Sequence, residues 1–321
     1  MRFNRRKMFL AGSLMSAAGL VGGAWWLRTS NAWAARFLRE RVREAERDIA
    51  PAPHTPAPAT WDANAITLAW LGHTTVLVSF HGLTILTDPS LGHRIGLGLG
   101  LGTLGPKRFI APALRVGELP PIDVVLLSHA HLDHLDMPTL SRLPGRPQVV
   151  SAYATADIFG PRCFAETHEL RWGEHVTLRT AKGELRVEAI EVKHWGARWR
   201  TDTHRGYNGY VLRREGRALL FGGDTAHTGA FAALRSRGPF AAAIMPIGAY
   251  QPWIRSHCTP EEALRMTDAA GAQHIVPVHH ATFKLSDEPM HEPIERMQAA
   301  LAKEAGRLAL KQVGETFRVP A

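Results

Sequence analysis

The sequence predicts an α/β domain in which buried strands alternate with helices. Three observations carry this. Short apolar runs of strand length, Val124-Val125-Leu126-Leu127 among them, recur along the chain and stop abruptly at turn residues. Between them lie segments with helix start signals, the clearest being Thr259-Pro260-Glu261-Glu262, with Thr259 as N-cap, Pro260 at the first helical position and acids in the first turn. About 260 residues follow a Pro-rich stretch near position 55, enough for one large domain.

In chain order, the amino terminus comes first. Arg5-Arg6-Lys7 precedes an uninterrupted apolar run from Met8 to Leu27, the basic-then-apolar order of an export signal. The paired arginines are similar to a twin-arginine signal, although Asn4 precedes them and Met8 stands where phenylalanine is usual. Ala32-Trp33-Ala34 offers a small-x-small cleavage site, while the run is also long enough to stay as an anchor. The expected location is therefore exported: periplasmic, or anchored at the periplasmic face of the inner membrane. Residues 35–48 read as a short charged helix, and Pro51, Pro53, Pro56 and Pro58 as a stiff spacer. The expected divisions are residues 1–34 for the signal or anchor, 35–61 for helix and linker, and 62–321 for the main domain. In that domain, strands are predicted at Val124–Leu127, Leu185–Val192, Ala218–Phe221 and His274–Val278, and helices at Pro138–Leu143, Thr228–Arg237, Thr259–Ala270 and Pro293–Ala305.

Ser128-His129-Ala130-His131-Leu132-Asp133-His134 follows the first of these strands, with three imidazoles and a carboxylate within six positions. Such density reads as a metal site. His129 and His131, two apart, can point the same way from extended backbone, while Asp133 and His134 fall on the next bend and can reach a second ion. Further ligand types stand at other strand ends: His194, Asp224 after Gly222-Gly223, and His279. Imidazole and carboxylate together suit zinc, with iron or manganese as substitutes.

These residues, with Trp70-Leu71-Gly72-His73-Thr74-Thr75, Leu86-Thr87-Asp88-Pro89, Pro246-Ile247-Gly248-Ala249-Tyr250-Gln251-Pro252 and Val278-His279-His280-Ala281-Thr282-Phe283, give a chain that resembles the metallo-β-lactamase-fold hydrolases. The branch it resembles contains the N-acylphosphatidylethanolamine-hydrolysing phospholipase D. The resemblance implies a four-layer αββα fold, two mixed β-sheets sandwiched between helices. It also implies two divalent ions, one on His129, His131 and His194, the other on Asp133, His134 and His279, bridged by Asp224. His280 competes with His279, but neighbouring strand residues face opposite sides and the spacing to Thr282-Phe283 favours His279. Asp88 and His73 match positions near the metals and are expected to orient the ligands. His257, ahead of the Thr259 helix start, matches a histidine expected to bind phosphate or protonate a leaving group. The implied reaction is attack by a metal-bridging hydroxide on the phosphorus of an N-acylphosphatidylethanolamine-like phospholipid, with Asp133, Asp224 and His257 as its catalytic groups. Two alternatives stand beside it: a lactonase or other ester hydrolase of the same fold, and an envelope-anchored metal- or lipid-binding module without turnover.

The chain departs from that branch in two places. The segment from Pro252 to His257 is shorter than in the animal enzymes, and Trp253 stands where they have arginine. The loop after His194, Trp195-Gly196-Ala197-Arg198-Trp199-Arg200, is rich in cations and rings that could cradle phosphate or equally tuck onto the scaffold. Gly96 to Gly102 alternates Gly with Leu, which suits an ordinary mobile loop or, as the alternative, a lid that dips into a lipid surface. The partners expected are a phospholipid or other small ester and a membrane surface. Net charge is +9, but residues 1–34 hold five cations and no acid, leaving +4 and no case for nucleic acid. Cys163 and Cys258 are the only cysteines, too few for a disulfide framework.

Overall fold

The structure is a computed structural model that describes residue 23 and residues 33–98, 102–160, 163–199 and 201–320. The twin arginines, nearly all of the apolar run, Leu99 to Leu101 of the Gly-Leu stretch and Arg200 lie outside the described residues. Among the described residues no helix is long and apolar enough to cross a membrane.

The chain divides into two units, residues 1–48 and 49–321. The first holds helix α1 (Trp33–Ala45), in which Arg41 pairs with Glu44 one turn on at 3.0 Å. The second holds both sheets. The Pro-rich stretch belongs to it and does not stand apart as a spacer. Ala50 N donates to Phe109 O at 2.9 Å, Ala111 N returns a bond to Ala50 O at 2.8 Å, and Ala52 and Trp61 pack on the core. Proline forbids helix here, but extended backbone next to a loop with free carbonyls still pairs. The boundary therefore falls at 48/49, where 61/62 was expected.

The first sheet comprises β1 (Ile66–Gly72), β2 (Thr75–Phe80), β3 (Leu83–Thr87), β6 (Val124–Leu127), β7 (Gln148–Ala152), β8 (Thr167–Leu170) and β15 (Thr316–Arg318), in the order β15-β1-β2-β3-β6-β7-β8. The second comprises β9 (His175–Thr180), β10 (Gly183–Ile190), β11 (Gly209–Arg214), β12 (Arg217–Phe221), β13 (Ala242–Pro246) and β14 (Ile275–Val278), in the order β14-β13-β12-β11-β10-β9. β4 (Leu97–Gly98) and β5 (Thr103–Leu104) form a separate hairpin within the Gly-Leu region. Both sheets are mixed in the same manner. Antiparallel strands give way to parallel ones at β3/β6 in the first and at β12/β13 in the second. This repetition is the pseudo-duplication that the resemblance implies.

Alternation along β12 shows how the layers stack. Leu219 and Phe221 join the core shared with the first sheet, while Leu220 and Ala218 join a second cluster with residues of the helical segments. That outer layer holds α4 (Pro260–Ala270), α5 (Glu292–Leu301) and a 3₁₀ helix, Gly229–Arg237. α4 starts as its sequence dictates, with Thr259 Oγ1 accepting from Glu262 N and the Glu262 carboxylate from Thr259 N, and it ends on left-handed Gly271. The 229–237 segment is 3₁₀ where an ordinary helix was expected: only Phe231 and Leu234, three apart, are buried, which suits a three-residue turn. On the first sheet the helices are short, α2 (Met137–Leu140) and α3 (Ala156–Phe159).

Candidate metal centre and cleft

The site gathers at the carboxyl ends of strands. Asp88 follows β3, the His129–His134 turn follows β6, Asp224 follows β12 and His279 follows β14. Parallel pairing of β3 with β6, and of β12 with β13 and β14, brings these ends to common edges. Close approach depends on glycine where chains meet. Gly223 sits at φ +56°, and a Cβ there would lie 2.6 Å from Asn208 O and 2.8 Å from Ser128 Cβ, so only glycine lets β12 abut the turn that carries the histidines.

Two sets of ligand atoms converge. In the first, His129 Nε2 lies 2.7 Å from His131 Nδ1, which lies 3.3 Å from His194 Nε2. In the second, Asp133 Oδ2 lies 3.4 Å from both His134 Nε2 and His279 Nε2. Asp224 Oδ2 stands between the sets, 3.1 Å from His134 Nε2, 3.2 Å from His279 Nε2 and 3.8 Å from His194 Nε2. All seven residues expected as ligands thus meet in one place, where they can hold metal ions. His280 does not join them; its ring stacks on Trp70, with centroids 4.5 Å apart.

The donors fit the ions. Bonds of about 2.0–2.1 Å in a tetrahedral shell put neighbouring ligand atoms about 3.3 Å apart. Most of the separations above fall near that value. The ring nitrogens His134 Nε2 and His279 Nε2, with Asp224 Oδ1, are buried and have no hydrogen-bond partner, as expected of atoms aimed at a cation. Charge agrees. Burial opposes ionisation of Asp133 and Asp224, but the His134 imidazole beside them, with His279, holds both carboxylates well below their usual range. Burial likewise opposes charge on His279, yet Asp224 and Asp133 lift it to about 9. His129, His131 and His194 are pushed down, chiefly by burial, and are neutral, whereas His134, like His279, is pushed up against burial by the carboxylates beside it and would release its proton when a metal ion binds.

Three of the far nitrogens are fixed, while His279 Nδ1 is buried with no hydrogen-bond partner. His134 Nδ1 lies 2.7 Å from Asp88 Oδ2, His129 Nδ1 2.9 Å from Ser128 Oγ, and His194 Nδ1 2.8 Å from Ser256 O. Asp88 also accepts from Ser128 N at 2.7 Å and Ser128 Oγ at 2.6 Å, so one carboxylate orients the turn as well as the ring. His73 Nε2 lies 3.0 Å from Asp133 Oδ2; burial holds this ring neutral, at about 3, so its N–H steadies the carboxylate. Thr282 Oγ1 accepts from His73 N at 2.8 Å, which ties the Thr282-Phe283 ending to the same corner. His73, Asp88 and His279 all have positive φ, a strained backbone concentrated at the site. Ser128 and Ser256 went unnoticed in the sequence. Ser128 adjoins His129, but no pattern marks a carbonyl such as that of Ser256.

A cleft of about 200 Å³ opens over the cluster, lined by His131, Asp133, Asp224, His257 and His279 and walled by Trp195, Ala249, Trp253 and Leu285. His257 Nδ1 lies 3.8 Å from Asp224 Oδ2 and has no hydrogen-bond partner. Burial lowers its pKa to about 4, so at neutral pH it offers one N–H and one lone pair and holds no proton to give away. Among the described lining residues there is no Lys or Arg. The phosphate cradle expected of the loop after His194 is not formed by Arg198 or Arg205. Arg198 donates to the carbonyls of Ala130 and Leu135, and Arg205 pairs with Asp157 and Asp202, because buried carbonyls and carboxylates nearby claim both guanidiniums. Trp199 and Ile254, on the loops that carry Trp195 and Trp253, are exposed. Both cysteines are free, and Cys258, its thiol pushed up by burial, donates to Pro246 O.

Residues 84–280 match the family model described as a beta-lactamase superfamily domain. An uncharacterized protein of Mycobacterium tuberculosis is 32% identical over 285 residues, covering 84% of this chain and 74% of that protein. The N-acyl-phosphatidylethanolamine-hydrolyzing phospholipase D 1 of Caenorhabditis elegans is 29% identical, covering 71% of this chain and 68% of its own length. Among solved structures, a metallo hydrolase from the archaeon Ignicoccus hospitalis superposes with a TM-score of 0.59 at 18% identity, over 80% of this chain and 99% of its own. With its two mixed sheets and its His/Asp cluster, the chain belongs to the β-lactamase superfamily and is a metal-dependent hydrolase of the metallo-β-lactamase fold.

Proposed function

We propose that the chain is a dinuclear phosphodiesterase of the phospholipase D type, acting on N-acylphosphatidylethanolamine-like phospholipids at the periplasmic face of a membrane. One observation carries the reaction class: two ligand sets meet at Asp224 Oδ2 on the floor of an open cleft, so both can act on a single phosphoryl group. His129, His131 and His194 would hold one ion and Asp133, His134 and His279 the other, with Asp224 shared and zinc the natural choice for such donors. When bound, the ions supply Lewis acidity and make water nucleophilic near neutral pH.

The remaining work falls to the chain's own groups. Asp88, Ser128, Ser256 and His73 keep the ligands in one tautomer and orientation. With no Lys or Arg among the described lining residues, neutral His257 is the side chain placed to hydrogen-bond the leaving alcohol, and its low pKa argues against full proton donation. Trp195, Trp253 and Leu285 give the cleft an apolar wall suited to acyl chains. Exposed Trp199, Ile254, Leu97 and Leu104 extend that character outward, as contact with a lipid surface requires. The substrate class follows the name of the Caenorhabditis relative.

The test is hydrolysis of N-acylphosphatidylethanolamine vesicles in ¹⁸O-labelled water. Label in phosphatidic acid, with unlabelled N-acylethanolamine, is the expected result. Label in a released fatty acid, or cleavage of an acyl lactone alone, would move the reaction to carbonyl chemistry.

A further inference from the structure

The turn that carries four of the ligands has a weak point. From His129 to Asp136 the chain leaves β6 and curls into α2, closed inside by His134 N and Leu135 N donating to His131 O at 3.1 and 2.9 Å. Ala130 and Leu135, at its two ends, are fully buried, and buried carbonyls need donors. One atom serves both: Arg198 Nη1 donates to Ala130 O and to Leu135 O, each at 2.9 Å. The six-residue stretch it spans, Ala130 to Leu135, holds His131, Asp133 and His134, with His129 next to its first anchor.

Arg198 also lies four residues after His194, the third imidazole of the first set. Its loop is fastened independently, because Asp202 accepts from Trp199 N and from Arg205 Nε, both at 2.6 Å, and Arg205 is paired in turn with Asp157. The guanidinium is therefore presented by a fixed loop, with Leu97, Leu132 and Met137 around it along a groove on the outer side of the turn.

We propose that Arg198 is a positioning residue of the metal centre: by clamping the Ala130 and Leu135 carbonyls it sets the spacing between His129 and His131 on one side and Asp133 and His134 on the other. The proposal rests on the dinuclear reading. It accounts for a cation held beside the site with no route to substrate, and for the short path between His194 and the turn. Arginine suits the task because its planar guanidinium fixes the directions of the two N–H bonds on Nη1, one for each carbonyl.

The test compares the full chain with Arg198→Met, which keeps the apolar stem and loses the donors, and Arg198→Lys, which keeps a donor. In metal-free protein, amide exchange of residues 129–136 is expected to speed up about tenfold or more in the Met variant, with sheet amides unchanged, and to recover in part in the Lys variant. Cobalt(II) titration is expected to give about 10- to 100-fold weaker binding in the Met variant. Turnover of bis(p-nitrophenyl) phosphate at saturating cobalt should fall in kcat with little change in KM. A lowered Tm with unchanged exchange of 129–136 and an unchanged cobalt isotherm would overturn the proposal, leaving Arg198 as mere loop support. Faster exchange in the Met variant, together with a wild-type chain that binds fewer than two cobalt ions, would support the clamp and overturn the dinuclear reading alone. Should the Met variant fail to fold, the Lys variant carries the same comparison.

Discussion

The floor of the cleft and its mouth are built by opposite means. On the floor the metal-directed atoms are buried, most rings are held from behind, and strained φ values at His73, Asp88 and His279 are locked by bonds to neighbours. At the mouth, Trp195 and Trp253 are exposed, as are Trp199 and Ile254 on the same loops, and Arg198 and Arg205 are spent on the scaffold. Preorganisation is costly and is concentrated where charge develops; contact with a greasy substrate needs area and little geometry. On the proposed function, the floor sets the reaction class and the mouth the substrate choice, since function is grafted onto a shared fold.

Breaking the floor should have the largest effect. Asp224→Ala is expected to lower activity about a thousandfold or more and to reduce bound metal below two per chain, with the far-UV circular dichroism unchanged. Retained activity would break the assignment of Asp224 as the shared ligand. His257→Ala sits at the boundary of floor and mouth. It should cost about a hundredfold in kcat on a diester while two metals stay bound, a split readable by elemental analysis beside kinetics. Asp88→Asn keeps the shape and still accepts from Ser128, but cannot take the His134 N–H in the same way. Metal affinity should fall about 10- to 100-fold with a smaller loss of activity at saturating metal. The mouth gives the mildest response. Trp199→Ser with Ile254→Ser should slow hydrolysis of vesicle-borne substrate about tenfold and leave bis(p-nitrophenyl) phosphate untouched. Equal losses on both substrates would show that the two regions are not separable.

The same contrast explains what could be read in advance. The ligands were legible because a dense His/Asp turn after an apolar run, with matching residues at three more strand ends, leaves few alternatives. Strand alternation admitted only one of His279 and His280, and the spacing to Thr282-Phe283 picked His279. The two-sheet fold came with the motif, and the α4 start was legible in Thr259-Pro260-Glu261-Glu262 because caps are local chemistry. What stayed hidden was long-range: Arg198 bonds carbonyls more than 60 residues away, and nothing in Gly-Ala-Arg-Trp-Arg says which cations will be claimed by the scaffold. Nor could it be known that Ala50, just before the Pro-rich stretch, pairs with Phe109 and Ile110, or that His54 within it donates to Val313 O, since extended backbone looks alike whether docked or free.

The central claim is that two ions share Asp224 and serve one diester. It is tested most directly by measuring metal content and hydrolysis together on the purified protein, before and after chelation, with bis(p-nitrophenyl) phosphate, N-acylphosphatidylethanolamine vesicles and an acyl lactone offered side by side. The account predicts two divalent ions per chain and diester cleavage that disappears on chelation and returns with metal. A single ion, or lactone cleavage without diester cleavage, would contradict it.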